Sequence, residues 1–280
     1  MGTAFAIRSA MLEVPGGSLY YEVRGQGPVL LMMPGGPADA TTFRRIEDDL
    51  AQAYTVVTYD PRGISHSSPF DPGDDGRMIE IFADDAHRLL AALGGEKASI
   101  FASSGGAVIA LELATRHSEQ LDTVVVHEPP SPDLLEDPER VRAANEDVCD
   151  TCAREGIFAA MQKFMALIGI QGGPPPVAEG EPSAEQPEAR AMTQRNSEFF
   201  FSRYIRNLSR YRVDTAALRS CSCHIVPAVG SDSAGQIAHR GGLGLARLMG
   251  VPATVFPGGH GGFDGRPEEF AARLREVLGS

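Results

Sequence analysis

Residues 99–117, SIFASSGGAVIALELATRH, set an apolar run, a small-residue turn and a stretch of helical spacing in immediate succession, the order of a strand, a tight turn and a helix. A turn that sharp brings the strand end against the helix start, so small side chains are needed on both sides of its apex. Two serines compete for the apex. With Ser104 there, Ala102 lies two residues before it and Gly106 two after; with Ser103 there, Phe101 takes the first of those places and crowds the turn. The steric requirement selects Ser104 and presents its hydroxyl as a nucleophile, whereas a Ser/Gly-rich helix cap is the reading without chemistry.

Outward from this stretch, short apolar runs alternate with amphipathic ones, which predicts an α/β fold with a mostly parallel sheet covered by helices on both faces. Eight strands are expected, at Met11–Val14, Ser18–Val23, Val29–Met33, Thr55–Tyr59, Ala98–Phe101, Thr123–Val126, His224–Val229 and Ala253–Phe256. Ile79, Phe82, Ala83, Ala86, Leu89, Leu90 and Leu93 recur at helical spacing, and Gly94-Gly95 closes that helix. A last helix is expected over Pro267–Leu278. The alternation breaks over residues 132–218, where Phe- and Met-rich helical patterns replace strands. This predicts a helical cap inserted into a core of residues 1–131 and 219–280. Within it, residues 171–188 (QGGPPPVAEGEPSAEQPE) carry almost no large apolar group and are expected to be mobile.

A serine becomes nucleophilic only beside a base, and the base needs a partner to hold its tautomer. His260 ends a β-rich run in the Gly/Pro loop VFPGGHGGF, just before the last helix, from where it can reach back to the turn. The other six histidines, His66, His87, His117, His127, His224 and His239, have no such setting and read as structural or surface groups. Two acids follow strands: Glu128 in His127-Glu128-Pro129-Pro130, and Asp232 in Val229-Gly230-Ser231-Asp232. The residues alone leave both open as the orienting carboxylate, with helix capping as the plainer role of each. Acyl transfer also requires donors for an oxyanion, and the N–H groups of Gly36, in Pro34-Gly35-Gly36-Pro37, and of Gly105 are the candidates. Tyr59-Asp60-Pro61-Arg62-Gly63 is expected to support that loop without taking part in chemistry.

Composition narrows the partners. A net charge of −12 opposes association with nucleic acid or anionic lipid, and 42% hydrophobic with 22% charged residues is an ordinary globular balance. Residues 1–17 lack the order of a secretory leader, so a cytoplasmic setting is expected. The four cysteines, Cys149-x-x-Cys152 and Cys221-x-Cys223 beside His224, nominally resemble zinc ligands, but nothing in the sequence brings the pairs together, and they read as structural. No metal and no cofactor is expected. The expected partner is a small hydrophobic molecule, and a homodimer is left open.

Together, the glycine loop, YDPRG, the turn at Ser104, the cap and the late His260 resemble the α/β-hydrolase superfamily over nearly the whole chain. More narrowly, ASSGG (102–106) followed by HEPP (127–130) resembles a subgroup that includes zearalenone lactonase. This resemblance implies a Ser104–His260–Glu128 triad acting on a carboxylic ester or lactone. Gly35, Pro37, Phe158, Met161 and Met165 are expected to bind substrate, since Phe158, Met161, Phe164, Met165 and Phe199–Phe201 form an apolar set within the cap, although such stripes also serve simply as core. Thioester, amide or cyclisation chemistry at the same site is an alternative, as is a non-catalytic pocket for a small apolar ligand.

Overall fold

The computed structural model describes residues 5–94, 97–169 and 187–279. Its strands are β1 (Arg8–Val14), β2 (Gly17–Arg24), β3 (Val29–Met33), β4 (Thr55–Tyr59), β5 (Ala98–Ser103), β6 (Leu121–His127), β7 (His224–Gly230) and β8 (Thr254–Phe256). They form one sheet in the order β1-β2-β4-β3-β5-β6-β7-β8. The pairs β1·β2 and β2·β4 are antiparallel and the remaining pairs parallel. All eight expected strands are present. β1 starts three residues before its apolar pattern, because Arg8, Ser9 and Ala10 pair with Val23, Glu22 and Tyr21 through the backbone while remaining exposed at the sheet edge.

Parallel strands covered on both faces read as continuous apolar runs, and the alternation within each run divides the core in two. Leu31, Met33, Ile100, Ala102, Val124 and Val126 face a layer that contains α2 (Met78–Leu93) and α3 (Gly105–His117). Leu30, Met32, Phe101 and Val125 face the other, formed by α1 (Arg44–Leu50) and, at the end of the chain, the helix over Pro267–Leu278. The α2 stripe is buried as its period requires, and Gly94 ends the helix at φ 71°. Gly95 lies outside the described residues.

Between β6 and β7 the chain forms α4 (Pro138–Glu155), α5 (Ile157–Ile168), α6 (Pro187–Phe199), a π-helical turn (Phe200–Tyr204), α7 (Ile205–Arg210) and α8 (Thr215–Ser220). Residues 171–186 of the Pro-rich segment lie outside the described residues, and its last two, Pro187 and Glu188, open α6. After β7 come α9 (Ile237–Met249), then β8, α10 (Gly262–Gly265) and α11 (Pro267–Leu278). Among the described residues no helix is long and apolar enough to cross a membrane.

Two buried carboxylates tie down the loops at the C-terminal ends of β3 and β4. Asp60 accepts hydrogen bonds from Ala40 N and His66 N, each at 2.9 Å, which joins the loop after β4 to the loop after β3. Arg62 makes a bidentate pair with Asp85 on α2, at 3.0 and 2.6 Å, and donates a further bond to Pro15 O at 2.9 Å. Removing one partner strands a buried charge, so Asp85→Ala is expected to destabilise the fold by about 3–5 kcal/mol. Asp75→Ala, which removes the partly exposed pair with Arg203 and leaves that guanidinium bonded to Phe70 O and Asp71 O, is expected to cost no more than about 1 kcal/mol. Urea denaturation of the two variants tests the contrast.

Candidate active site

Ser104 stands between β5 and α3 with φ 57° and ψ −126°, a conformation that non-glycine residues avoid. Ser103, one residue earlier, is still in β5 and paired with His127. The strained apex is therefore Ser104. The small flanking residues are needed for the reason given above: a Cβ on Gly106 would lie 2.4 Å from Met33 O, and one on Gly35 would lie 2.5 Å from Gly105 N. This approach packs the loop after β3 directly on the turn. Gly36 N lies 3.4 Å from where a Cβ on Gly105 would be, so the two proposed oxyanion donors are neighbours.

One strand over, Glu128 follows β6 with φ 51° and is fully buried. Its Oε2 accepts a 2.6 Å hydrogen bond from His260 Nδ1. Its Oε1 accepts from Gly230 N at 2.9 Å and from the Ser233 hydroxyl. Burial opposes the charge on this carboxyl, but the His260 bond, the nearby imidazoles and Ser233 outweigh it and hold Glu128 down at about 2. Asp232 is engaged elsewhere: its half-exposed carboxylate pairs with Arg266 at 2.9 Å and accepts from Ser231 Oγ at 2.7 Å. The histidine's partner is thus Glu128. With Nδ1 bonded to the carboxylate, Nε2 is the nitrogen left to exchange a proton.

His127, read from the sequence as structural or surface, is fully buried beneath this pair, its ring 6.2 Å from that of His260. Burial pushes it down to about 4, so it is neutral at physiological pH. Its Nδ1 lies 3.0 Å from Ser103 Oγ, while Nε2 has no hydrogen-bond partner and the rings of Phe101, Phe256 and Phe270 surround it. An N–H is better accommodated among aromatic faces than a bare lone pair, so the favoured tautomer carries its proton on Nε2 and accepts from Ser103. The Ser103 hydroxyl is thereby committed to His127.

Ser104, His260, Gly36 and Gly105 line one largely apolar cavity of about 300 Å³, at the lower end of the usual range for small-ligand sites. Gly35 and Pro37 also line it, but Phe158, Met161 and Met165 do not. Phe158 is 62% exposed, and Met161 packs against the core. The helical phase of α5 turns Phe164, Leu167 and Ile168 to the cavity instead, and a helix apolar except at Gln162 and Lys163 gives little sequence signal for which apolar side that is. Asn145 and Gln236 also line the cavity and Ser233 supports Glu128; nothing in the local sequence marks Gln236 or Ser233 out, and the one signal for Asn145 is its place at helical spacing from Val141, Val148 and Cys149. Cys149 and Cys152 lie on α4 and Cys221 and Cys223 precede β7, all as free thiols. Among the described residues no group of three or more His, Cys, Asp or Glu side chains is placed to hold a metal ion.

Both shifted groups make the folded state acid-sensitive. Glu128, lowered from 4.5 to about 2, contributes stability that is complete above pH 4.5 and lost as the pH falls through 2. His127, lowered from 6.5 to about 4, contributes stability that is complete above pH 6.5 and lost as the pH falls through 4. These two groups alone make stability decline in two overlapping stages, against the opposite slope of Glu47, which burial raises from 4.5 to about 7. His127→Asn should flatten the upper one, measured as the pH dependence of urea unfolding; an unchanged slope would contradict the burial of a neutral imidazole.

The family model described as alpha/beta hydrolase fold matches residues 28–168. The uncharacterized hydrolase YraK of Bacillus subtilis is 36% identical over 97% of this chain and 96% of its own length. Zearalenone hydrolase of Cladophialophora bantiana is 25% identical, also over 97% and 96%. Among solved structures, the enol-lactonase of Burkholderia xenovorans superposes with a TM-score of 0.73 at 18% identity, over 97% of this chain and 100% of that one. With its sheet order, its strained turn after β5 and these matches, the chain belongs to the α/β-hydrolase fold family.

Proposed function

We propose that the chain is a serine hydrolase that cleaves a carboxylic ester or lactone of a small hydrophobic molecule through an acyl-enzyme. The observation that carries this reading is the hydrogen bond from His260 to the buried Glu128, beside a strained Ser104 on the same cavity. Ser104 Oγ attacks the carbonyl carbon while His260 Nε2 takes its proton, and the imidazolium is held by Glu128, which stays ionised. The negative charge that develops on the carbonyl oxygen is met by the N–H groups of Gly36 and Gly105. Collapse of this intermediate breaks the carbon–oxygen bond to the leaving alcohol, which receives the proton from His260. In a lactone the alcohol remains tethered to the acyl group. Water, deprotonated by the same nitrogen, then attacks the acyl-enzyme and releases the acid and Ser104.

The apolar wall supports a hydrophobic substrate, and the helices of residues 132–218 serve as a cap, contributing Phe164, Leu167, Phe200 and Leu208 to that wall. The likeness to zearalenone hydrolase, aligned along nearly all of both chains, supports a lactone as one form of substrate. No cofactor enters this scheme. The test is hydrolysis of short and long p-nitrophenyl esters and of a macrolactone by the wild type and point variants. Ser104→Ala and Glu128→Gln are expected to lower kcat by about 10³–10⁴-fold or more. Ser103→Ala and Asp232→Asn should retain most activity. Loss of turnover in Ser103→Ala with folding intact, or in Asp232→Asn, would overturn these assignments.

A further inference from the structure

On the cavity wall, beyond the serines and His260, the polar side chains are Thr42, Asn145 and Gln236. Thr42 is occupied, its hydroxyl donating to Asp39 O at 2.8 Å. Asn145 is placed differently. It sits on α4, and the residues at helical spacing on either side, Val141, Val148 and Cys149, are the buried stripe of that helix. An amide interrupts an apolar stripe there, beside Phe164, Leu167 and Leu208 of the same wall. The Asn145 amide donates one long hydrogen bond, from Nδ2 to Ser209 Oγ at 3.4 Å. That leaves its carbonyl oxygen and a second N–H for another partner. Leucine would suit the helix and the apolar wall better but would leave the buried Ser209 hydroxyl without this donor, so apolar packing does not account for the amide.

We infer that Asn145 is a specificity residue that hydrogen-bonds a second polar group of the substrate, a carbonyl or hydroxyl separate from the scissile ester. This rests on the reading of the cavity as an ester or lactone site, and it narrows the substrate from a plain alkyl ester to an oxygenated one. The amide can donate to a ketone or hydroxyl oxygen and accept from a hydroxyl, so one residue serves both kinds of group. A substrate without such a group leaves the amide unpaired against an apolar ligand, which is how a hydrogen-bonding site rejects a hydrocarbon analogue.

The experiment compares straight-chain acyl p-nitrophenyl esters of several lengths with the same chains bearing a keto group, using wild type, Asn145→Leu and Ser209→Ala. Wild type is expected to favour the keto ester by about three- to tenfold in kcat/KM at one or more lengths, the worth of one ordinary hydrogen bond. Asn145→Leu should erase that preference while still turning over the alkyl esters. Ser209→Ala, which removes the partner of Asn145 and leaves its amide in place, should keep the preference, an outcome that a purely structural Asn145–Ser209 link does not give. Calorimetric binding of the chain-matched methyl esters to Ser104→Ala protein, with and without Asn145→Leu, reads the same preference independently of turnover. Preferential binding without hydrolysis by the wild type would refute the hydrolase reading and leave the role of Asn145 standing. Hydrolysis and binding indifferent to the keto group, or a preference that survives in Asn145→Leu, would overturn the role of Asn145 alone.

Discussion

A carboxylate shut away from water must be met by donors, and Glu128 places that demand on three strand ends at once. It follows β6, and takes one hydrogen bond from the last residue of β7, one from Ser233 in the loop beyond it, and one from His260 in the loop after β8. These groups converge because β6, β7 and β8 are parallel neighbours whose ends are in register, with His127 opposite Ala228 and Gly230 opposite Phe256. The same register sets Ser103 opposite His127, which brings Ser104 alongside. The sheet is the instrument that holds the charge, and the charge in turn fixes the imidazole.

Backbone strain follows the same line. Ser104 and Glu128 both occupy the left-handed half of φ space without being glycine, at about 1–3 kcal/mol each. Both are restrained by a ladder bond that continues past the strand: Ser104 N donates to His127 O and Glu128 N to Ala228 O, each at 3.0 Å. The chain is thus pinned by its neighbour at the very residue where it leaves the regular conformation. The turn can point a hydroxyl and a carboxylate out of the sheet plane without fraying the strands behind them.

The parts of the molecule legible in the sequence were those set by local rules. Period-two and helical patterns found all eight strands and α2 and α11, and steric crowding by Phe101 singled out Ser104 from Ser103. The residues alone could not choose between Glu128 and Asp232, because both follow a strand; Arg266, 34 residues further on, is what occupies Asp232. The wall of the cavity was harder still. On α5, with IFAAMQKFMALI apolar nearly all round, the inward face depends on how the inserted helices lie over the sheet, and Phe158, Met161 and Met165 fell on the wrong side. For His127 the sequence left structural and surface roles both open, since a histidine at the end of an apolar strand looks the same whether it meets water or three phenylalanine rings; the structure makes it structural.

The hydrogen bond between His260 and Glu128 spans 132 residues, and the imidazole lies after β8, the last strand in chain order among the described residues. During synthesis, which runs from the N-terminus, the residues of β3, β5 and β6 and Ser104 are all made before the imidazole. A nascent chain that has not reached residue 260 therefore carries Ser104 without the imidazole that shares its cavity. On the proposed reading of the site, the synthesis of residue 260 and the acquisition of reactivity would coincide, which would spare a shorter nascent chain indiscriminate acylation.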